Sequence, residues 1–182
     1  MTIKTLYAIG IAGLLTITGC ASTATKQAPG EYFDDATITA KVKSALIKDP
    51  VAQAHEIKVE TFRGVVQLSG FVDSQDQRVA AVTAAQHVQG VKAVHDNMEL
   101  KPDNRTVGEA LDDSLVTARV KSALIDNPVT KARQINVATA DGVVQLSGFV
   151  DSPNEKNTAS EVVRNVPGVR LVQNELETKP AP

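Results

Sequence analysis

The chain contains itself twice, and that repeat limits its fold more than any other feature of the sequence. Asp34-Asp35 recurs as Asp112-Asp113, and the run from Val42 to Ile47 recurs from Val120 to Ile125. The run from Gly64 to Ser74 recurs unchanged from Gly142 to Ser152, and Gly90-Val91 recurs as Gly168-Val169. Every pair is 78 positions apart, so the copies align without a gap, and about half of the paired positions are identical. Self-similarity at a fixed interval marks tandem copies of one fold, and two copies are too few for a solenoid. A pair of small domains follows.

Each copy reads the same way. Asp34 or Asp35 is placed to cap a helix running to about Lys48, with an apolar stripe of Ile38, Val42, Ala45 and Leu46. Asp49-Pro50 ends it. Ile57 and Val59 alternate with charged neighbours as a strand, Arg63-Gly64 turns the chain, and Val65 to Val72 form a second strand. Val66, Leu68 and Val72 should face the helices, and Gln67 and Ser69 the other way, because alternate strand residues share a face. Gly70 lies within this strand, where a glycine marks close approach of a neighbour. Ser74 with Gln77, and Ser152 with Glu155, have the spacing of a capping box, and Pro153 stands where a first helical residue would. A second helix follows with Val79, Val82, Ala85 and Val88 inward. Gly90 and Gly168 are placed to stop these helices, and a third strand starts near Val91 and Val169. The expectation is an α+β chain of two helix–strand–strand–helix–strand domains, each with two helices on one face of a three-stranded mixed sheet.

The N-terminus has a different character. Lys4 precedes an apolar run from Leu6 to Ile17, which ends in Thr18-Gly19-Cys20. A basic start, a short apolar core and a small-residue exit describe a secretory signal peptide. The run is too short for a spanning helix. Its end resembles the lipobox of bacterial lipoproteins, which implies that Cys20 is lipidated and that the chain is cut before it. Cys20 is the one cysteine, so it has no disulfide partner within the chain. Ala21 follows where enterobacterial lipoproteins held at the inner membrane carry Asp, which resembles an outer-membrane address. The expected organisation is a signal peptide at 1–19, a flexible tether at 20–33, domains at 34–101 and 112–179, a linker at 102–111 and a disordered tail at 180–182.

A helix ending in Ala-Leu, then Gly-Val-Val-x-Leu-x-Gly, then a helix ending in Gly-Val resembles the BON domain (bacterial OsmY and nodulation). The resemblance covers both copies, and the runs Gly64 to Gly70 and Gly142 to Gly148 are its most specific part. With the lipobox, it implies a dual-BON outer-membrane lipoprotein facing the periplasm that binds phospholipid and helps keep the envelope intact. It implies no catalytic residues and no cofactor. The alternative is a periplasmic scaffold or chaperone-like module that binds an envelope protein and touches lipid only through its acyl anchor.

The remaining chemistry is sparse. His55, His87 and His95 all lie in the first copy and lack the close spacing of a zinc site. Neither Ser69 nor Ser147 lies in a Gly-x-Ser-x-Gly elbow. Each copy holds eight Lys and Arg against nine Asp and Glu, and aromatics are few, so nucleic acid is not an expected partner. The paired aspartates read as helix caps. The second copy has Leu111 and Leu115 where the first has Phe33 and Thr37, and Arg119 lies one turn beyond Leu115. An apolar residue beside a cation suits an anionic phospholipid surface, the guanidinium meeting phosphate. Leu111, Leu115 and Arg119 therefore form a candidate lipid edge. The other reading is that the two leucines pack against the first copy.

Overall fold

The computed structural model describes residues 29–52, 56–102 and 107–180. The first repeat runs α1 (Pro29–Lys48), β1 (Lys58–Phe62), β2 (Val65–Val72), α2 (Gln75–Gln86) and β3 (Ala93–Leu100). The second runs α3 (Val107–Asp126), β4 (Asn136–Ala140), β5 (Val143–Val150), α4 (Pro153–Arg164) and β6 (Leu171–Thr178), with a short 3-10 turn at Ala132–Gln134. Each repeat has its own three-stranded sheet, ordered β1-β2-β3 or β4-β5-β6. The hairpin pair is antiparallel and the third strand is parallel to the middle one. This is the expected α+β architecture with a mixed sheet in each copy.

Local chemistry explains the elements. Arg63-Gly64 and Asp141-Gly142 are two-residue turns with φ of 52°, 81°, 51° and 69°. Positive φ at both central positions is the turn whose twist matches a hairpin. Ile38, Val42 and Leu46 recur every fourth residue on α1 and bury against Val59, Val66, Leu68 and Val72. Val116, Val120 and Leu124 do the same in the second repeat. Ser74 Oγ accepts from the Gln77 N–H at 3.1 Å, and Ser152 Oγ from the Glu155 N–H at 3.1 Å. The return bond of each box goes to the residue before the cap: Gln77 accepts from the Asp73 N–H at 2.7 Å, and Glu155 from the Asp151 N–H at 3.2 Å.

Three expectations are corrected. Val79 faces outward and is 54% exposed. The buried face of α2 is Gln77, Ala81 and Ala85, one turn apart, and Val79 lies on the opposite side of the helix. Gly90 and Gly168 do not end α2 and α4, whose C-caps are His87 and Asn165. They lie in the turn beyond, at φ of 101° and 97°. A Cβ at Gly168 would meet Val116 Cγ2 at 2.6 Å, so the glycine lets this turn rest on α3. The helices also begin earlier than expected, at Pro29 and Val107, within the segments read as tether and linker.

The sheet faces away from the helices meet each other. Gln67 and Gln145 point there and are each 1% exposed, with Ser69 and Ser147 beside them. Gln67 Oε1 accepts from the Gly148 N–H at 2.7 Å, and Gln145 Oε1 accepts from the Gly70 N–H at 2.6 Å. The amide ends donate to the Glu175 carbonyl at 2.7 Å and the Asn97 carbonyl at 2.6 Å. Ser69 and Ser147 join hydroxyl to hydroxyl at 2.6 Å. Each of these bonds thus recurs with the two repeats exchanged, the pattern of an isologous two-fold contact. Asn97 Nδ2 donates to Glu175 at 2.6 Å, and the rings of Phe62 and Phe149 lie 5.5 Å apart. Gly70 and Gly148 have φ of 107° and 124°, and a Cβ there would fall 2.6 Å from the Glu56 carbonyl and 2.1 Å from the Gln134 carbonyl.

Asp151 closes the end of the second sheet. It pairs with Lys131 and, at 2.6 Å, with Lys179, whose ammonium lies 5.6 Å from the Phe62 ring centroid. Burial works to raise the Asp151 carboxyl, but hydrogen bonds and charge from Lys131 and Lys179 outweigh it and hold the carboxyl below the ordinary aspartate value.

Two outcomes follow. Gln67→Ala leaves the Gly148 N–H without its acceptor inside the interface, and is expected to lower unfolding free energy by about 1–3 kcal/mol in urea titration; a smaller loss means that water replaces the amide. A depressed carboxyl stabilises the fold above its ordinary range, and that contribution disappears as pH falls through the lowered value. Acid unfolding of Asp151→Asn should therefore begin from a less stable state and depend less steeply on pH than that of the parent chain.

Candidate functional site

The helix α1 is bolted to the hairpin turn of its own repeat by one carboxylate. Asp35 accepts from the Arg63 N–H at 2.6 Å and the Gly64 N–H at 2.8 Å. Asp113 accepts from the Asp141 N–H at 2.8 Å and the Gly142 N–H at 2.9 Å. The two-residue turn leaves both amides outside the strand ladder, and the aspartate meets them, the glycine amide buried and the other part-buried. This corrects the reading of the paired aspartates as helix caps. The helices start upstream of them, and the second member of each pair is buried against the turn. Thr39 bonds Thr61 and Thr117 bonds Thr139, each at 2.7 Å, one turn further along the helix.

This bolt creates an open groove in each repeat, bounded by the helix, the hairpin turn and the turn before the third strand. The first measures about 430 Å³ and the second about 310 Å³. The two linings correspond position by position at the repeat interval. Thr37 answers Leu115, Lys41 answers Arg119, Arg63 answers Asp141, and Lys92 answers Arg170. Gly64 and Gly142 form part of the floor, and a Cβ there would meet the stem of Lys92 at 3.1 Å or of Arg170 at 2.8 Å.

The grooves differ in charge. The first is lined by Lys41, Arg63 and Lys92 against Asp34 and Asp35. At the positions described in both repeats, the second is lined by Arg119 and Arg170 against Asp112, Asp113 and Asp141; Glu109 also lines it, and the side chain of its counterpart Glu31 lies outside the described residues. Arg170 Nη1 donates to the Asp141 carboxylate at 2.6 Å and to its carbonyl at 3.2 Å. Arg119 Nη1 reaches the Pro167 carbonyl at 3.4 Å.

The candidate lipid edge lies on the second groove. Leu115 is 49% exposed, so packing against the first repeat does not cover it, and Arg119 is exposed beside it. The Leu111 side chain, Cys20 and His55 lie outside the described residues. His87 Nδ1 bonds the Thr83 carbonyl, and His95 Nδ1 lies 2.7 Å from Glu177 across the repeats. Among the described residues, no group of three or more His, Cys, Asp or Glu is placed to hold a metal, and no helix is long and apolar enough to cross a membrane. Lys41 and Lys92 went unmarked in the sequence. Their recurrence as Arg119 and Arg170 was visible, but only the fold shows that each pair shares a groove.

The sequence profile of the BON domain matches residues 34–102 and 112–180. The chain is 40% identical over 151 residues to the osmotically-inducible protein Y of Escherichia coli, covering 82% of this chain and 75% of that protein. It is 29% identical over 144 residues to the outer membrane lipoprotein DolP of Haemophilus influenzae, covering 79% and 74%. It is 32% identical over 145 residues to a 21 kDa hemolysin of Actinobacillus pleuropneumoniae, covering 79% and 73%.

The aspartate bolt is testable. Asp113→Ala strands one buried and one part-buried turn amide and should cost about 1–3 kcal/mol. Asp113→Asn keeps one acceptor oxygen and should cost less. In native-state hydrogen exchange, the Gly142 amide should lose protection in both variants, and an unchanged rate would show that the bolt is dispensable.

Proposed function

The chain belongs to the BON-domain family, and on that premise we propose that it is a non-enzymatic envelope lipoprotein which binds anionic phospholipid. In this reading Cys20 carries the acyl chains, the protein is held in the outer membrane on its periplasmic side, and it helps keep the envelope intact. The anchor part is supported by the Leu15-to-Cys20 context and by similarity to an outer membrane lipoprotein. Each buried methylene contributes about 0.8 kcal/mol, so several acyl chains give durable attachment.

The observation that carries the lipid part is Leu115. An aliphatic side chain stands exposed on α3 where the first repeat has Thr37, with Arg119 one turn on. Inserting Leu115 at the interface places Arg119 near phosphate. Each basic residue near an anionic surface contributes about 1 kcal/mol, and the carboxylates lining the same groove oppose it. The contact is therefore weak and salt-sensitive, and the anchor supplies the residence time.

One observation favours the scaffold reading. Ile47 and Ile125 occupy the same place at the ends of α1 and α3 and are 70% and 69% exposed. Val51 and Val129 are exposed beside them. A duplicated apolar tip suits a protein partner at least as well as a bilayer.

The readings separate experimentally. Mass spectrometry of the mature protein should show an acylated N-terminal cysteine at Cys20; a free thiol or a different start removes the anchor. On anionic liposomes at low salt, Leu115→Asp in a chain lacking the acyl groups should weaken binding several-fold, and Thr37→Asp should do little. Loss from Ile47→Asp and Ile125→Asp instead, or no binding by the unmutated chain, favours the protein scaffold.

A further inference from the structure

We propose that the groove of the first repeat is a binding site for a phosphate-bearing anion, separate from the Leu115 edge. The argument rests on comparing the grooves, which share one backbone design and differ in charge. In the second, Asp141 neutralises Arg170 through a 2.6 Å ion pair. In the first, Arg63 occupies the Asp141 position, at φ of 52° against 51°. The acid that would hold Lys92 is thereby replaced by a cation. Among the described residues, neither Lys41 nor Lys92 has a carboxylate partner.

The groove has the form a small anion needs. Gly64 leaves the floor low, and the stem of Lys92 crosses it at contact distance. Lys41 projects from α1 on the opposite wall. Asp35 lines the groove, but its oxygens already accept the Arg63 and Gly64 amides. Among the described residues, Asp34 is the exposed carboxylate that lines it. Two lysines across a gap meet a phosphate oxygen from either side, as point charges with rotatable donors. A lipid headgroup and a soluble phosphate compound share this chemistry.

For inorganic phosphate the second repeat is a built-in control. The full chain in maltoside micelles, which carry no phosphate, would be titrated with inorganic phosphate and with micelles doped with phosphatidylglycerol, following amide shifts by NMR. The Gly64, Gly90 and Lys92 amides should move and saturate; with inorganic phosphate Gly142, Gly168 and Arg170 stay still, and any movement of these three caused by the lipid should vanish in Leu115→Asp while that of the first groove persists. Saturation by phosphate identifies a soluble ligand, and saturation by the lipid alone identifies a headgroup; either supports the site. Arg63→Asp fits the turn, since Asp141 already adopts that conformation, and should weaken binding roughly tenfold, given the reversal of one charge beside an anion. Lys92→Gln should also weaken it, and Lys92→Arg should retain it. Asp141→Arg should make the second groove respond to inorganic phosphate, and Leu115→Asp should leave the first-groove shifts unchanged. Equal movement in both repeats with inorganic phosphate, no movement of the first groove with either ligand, or full binding by Arg63→Asp would overturn the proposal.

Discussion

The structure depends on a reciprocal bond between two identical glutamines and two identical glycines. A three-stranded sheet covered by helices on one face has a second face to dispose of. Here the two repeats bury that face against each other, and its centre is polar. A buried amide is costly unless every donor and acceptor is met. Gln67 and Gln145 meet that condition because a carboxamide carries both kinds of group. Each oxygen takes a glycine amide from the other copy, and each nitrogen finds a carbonyl on the opposite third strand. Hydroxyls share this dual character, so Ser69 bonds its own counterpart. A sequence can pack on a copy of itself through polar groups only if those groups donate and accept.

This explains why the run from Gly64 to Ser74 recurs unchanged. Val66, Leu68 and Val72 face the helices, while Gln67 and Ser69 face the other repeat. Gly64 forms the turn, and Gly70 passes a carbonyl that leaves no room for a side chain. Away from this centre, identity gives way to complementarity. Asn97 and Glu175 are counterparts, yet they bond directly because one donates and the other accepts. Two glutamates there would repel. The repeats have diverged at their shared edge as partners do, and the result is one interface rather than two interchangeable halves.

Much of this frame was legible in advance. The repeat interval, the hairpins, the capping serines and the inward positions of the middle strands all follow from local rules of period and turn. The misreadings share a cause: a local rule met a tertiary alternative. Asp35 has the composition of a cap, but nothing in the sequence says that the helix starts upstream or that two turn amides lie opposite. Val79 looks like a core residue by type, yet Ala81 and Ala85 bring α2 closer to the sheet and turn Val79 out. Strand alternation puts Gln67 and Ser69 on the face away from the helices, but what covers that face depends on how the repeats dock. The groove was illegible for the same reason. Its residues come from three segments, and their charges matter only once the fold brings them together.

A symmetric frame with asymmetric grooves constrains where the two repeats can differ in function. The core, the turn bolts and the inter-repeat lock each involve buried groups, so a change there affects stability first. The exposed positions of the groove walls carry no such load. Thr37 against Leu115 changes one wall from polar to apolar, and Arg63 against Asp141 reverses one charge without altering the turn that carries it. A single substitution at that turn position sets whether the neighbouring cation is neutralised or left to meet an external anion. Specialisation of the repeats therefore costs the fold little, and the apolar edge of one groove and the cationic floor of the other can serve different ligands on a shared scaffold.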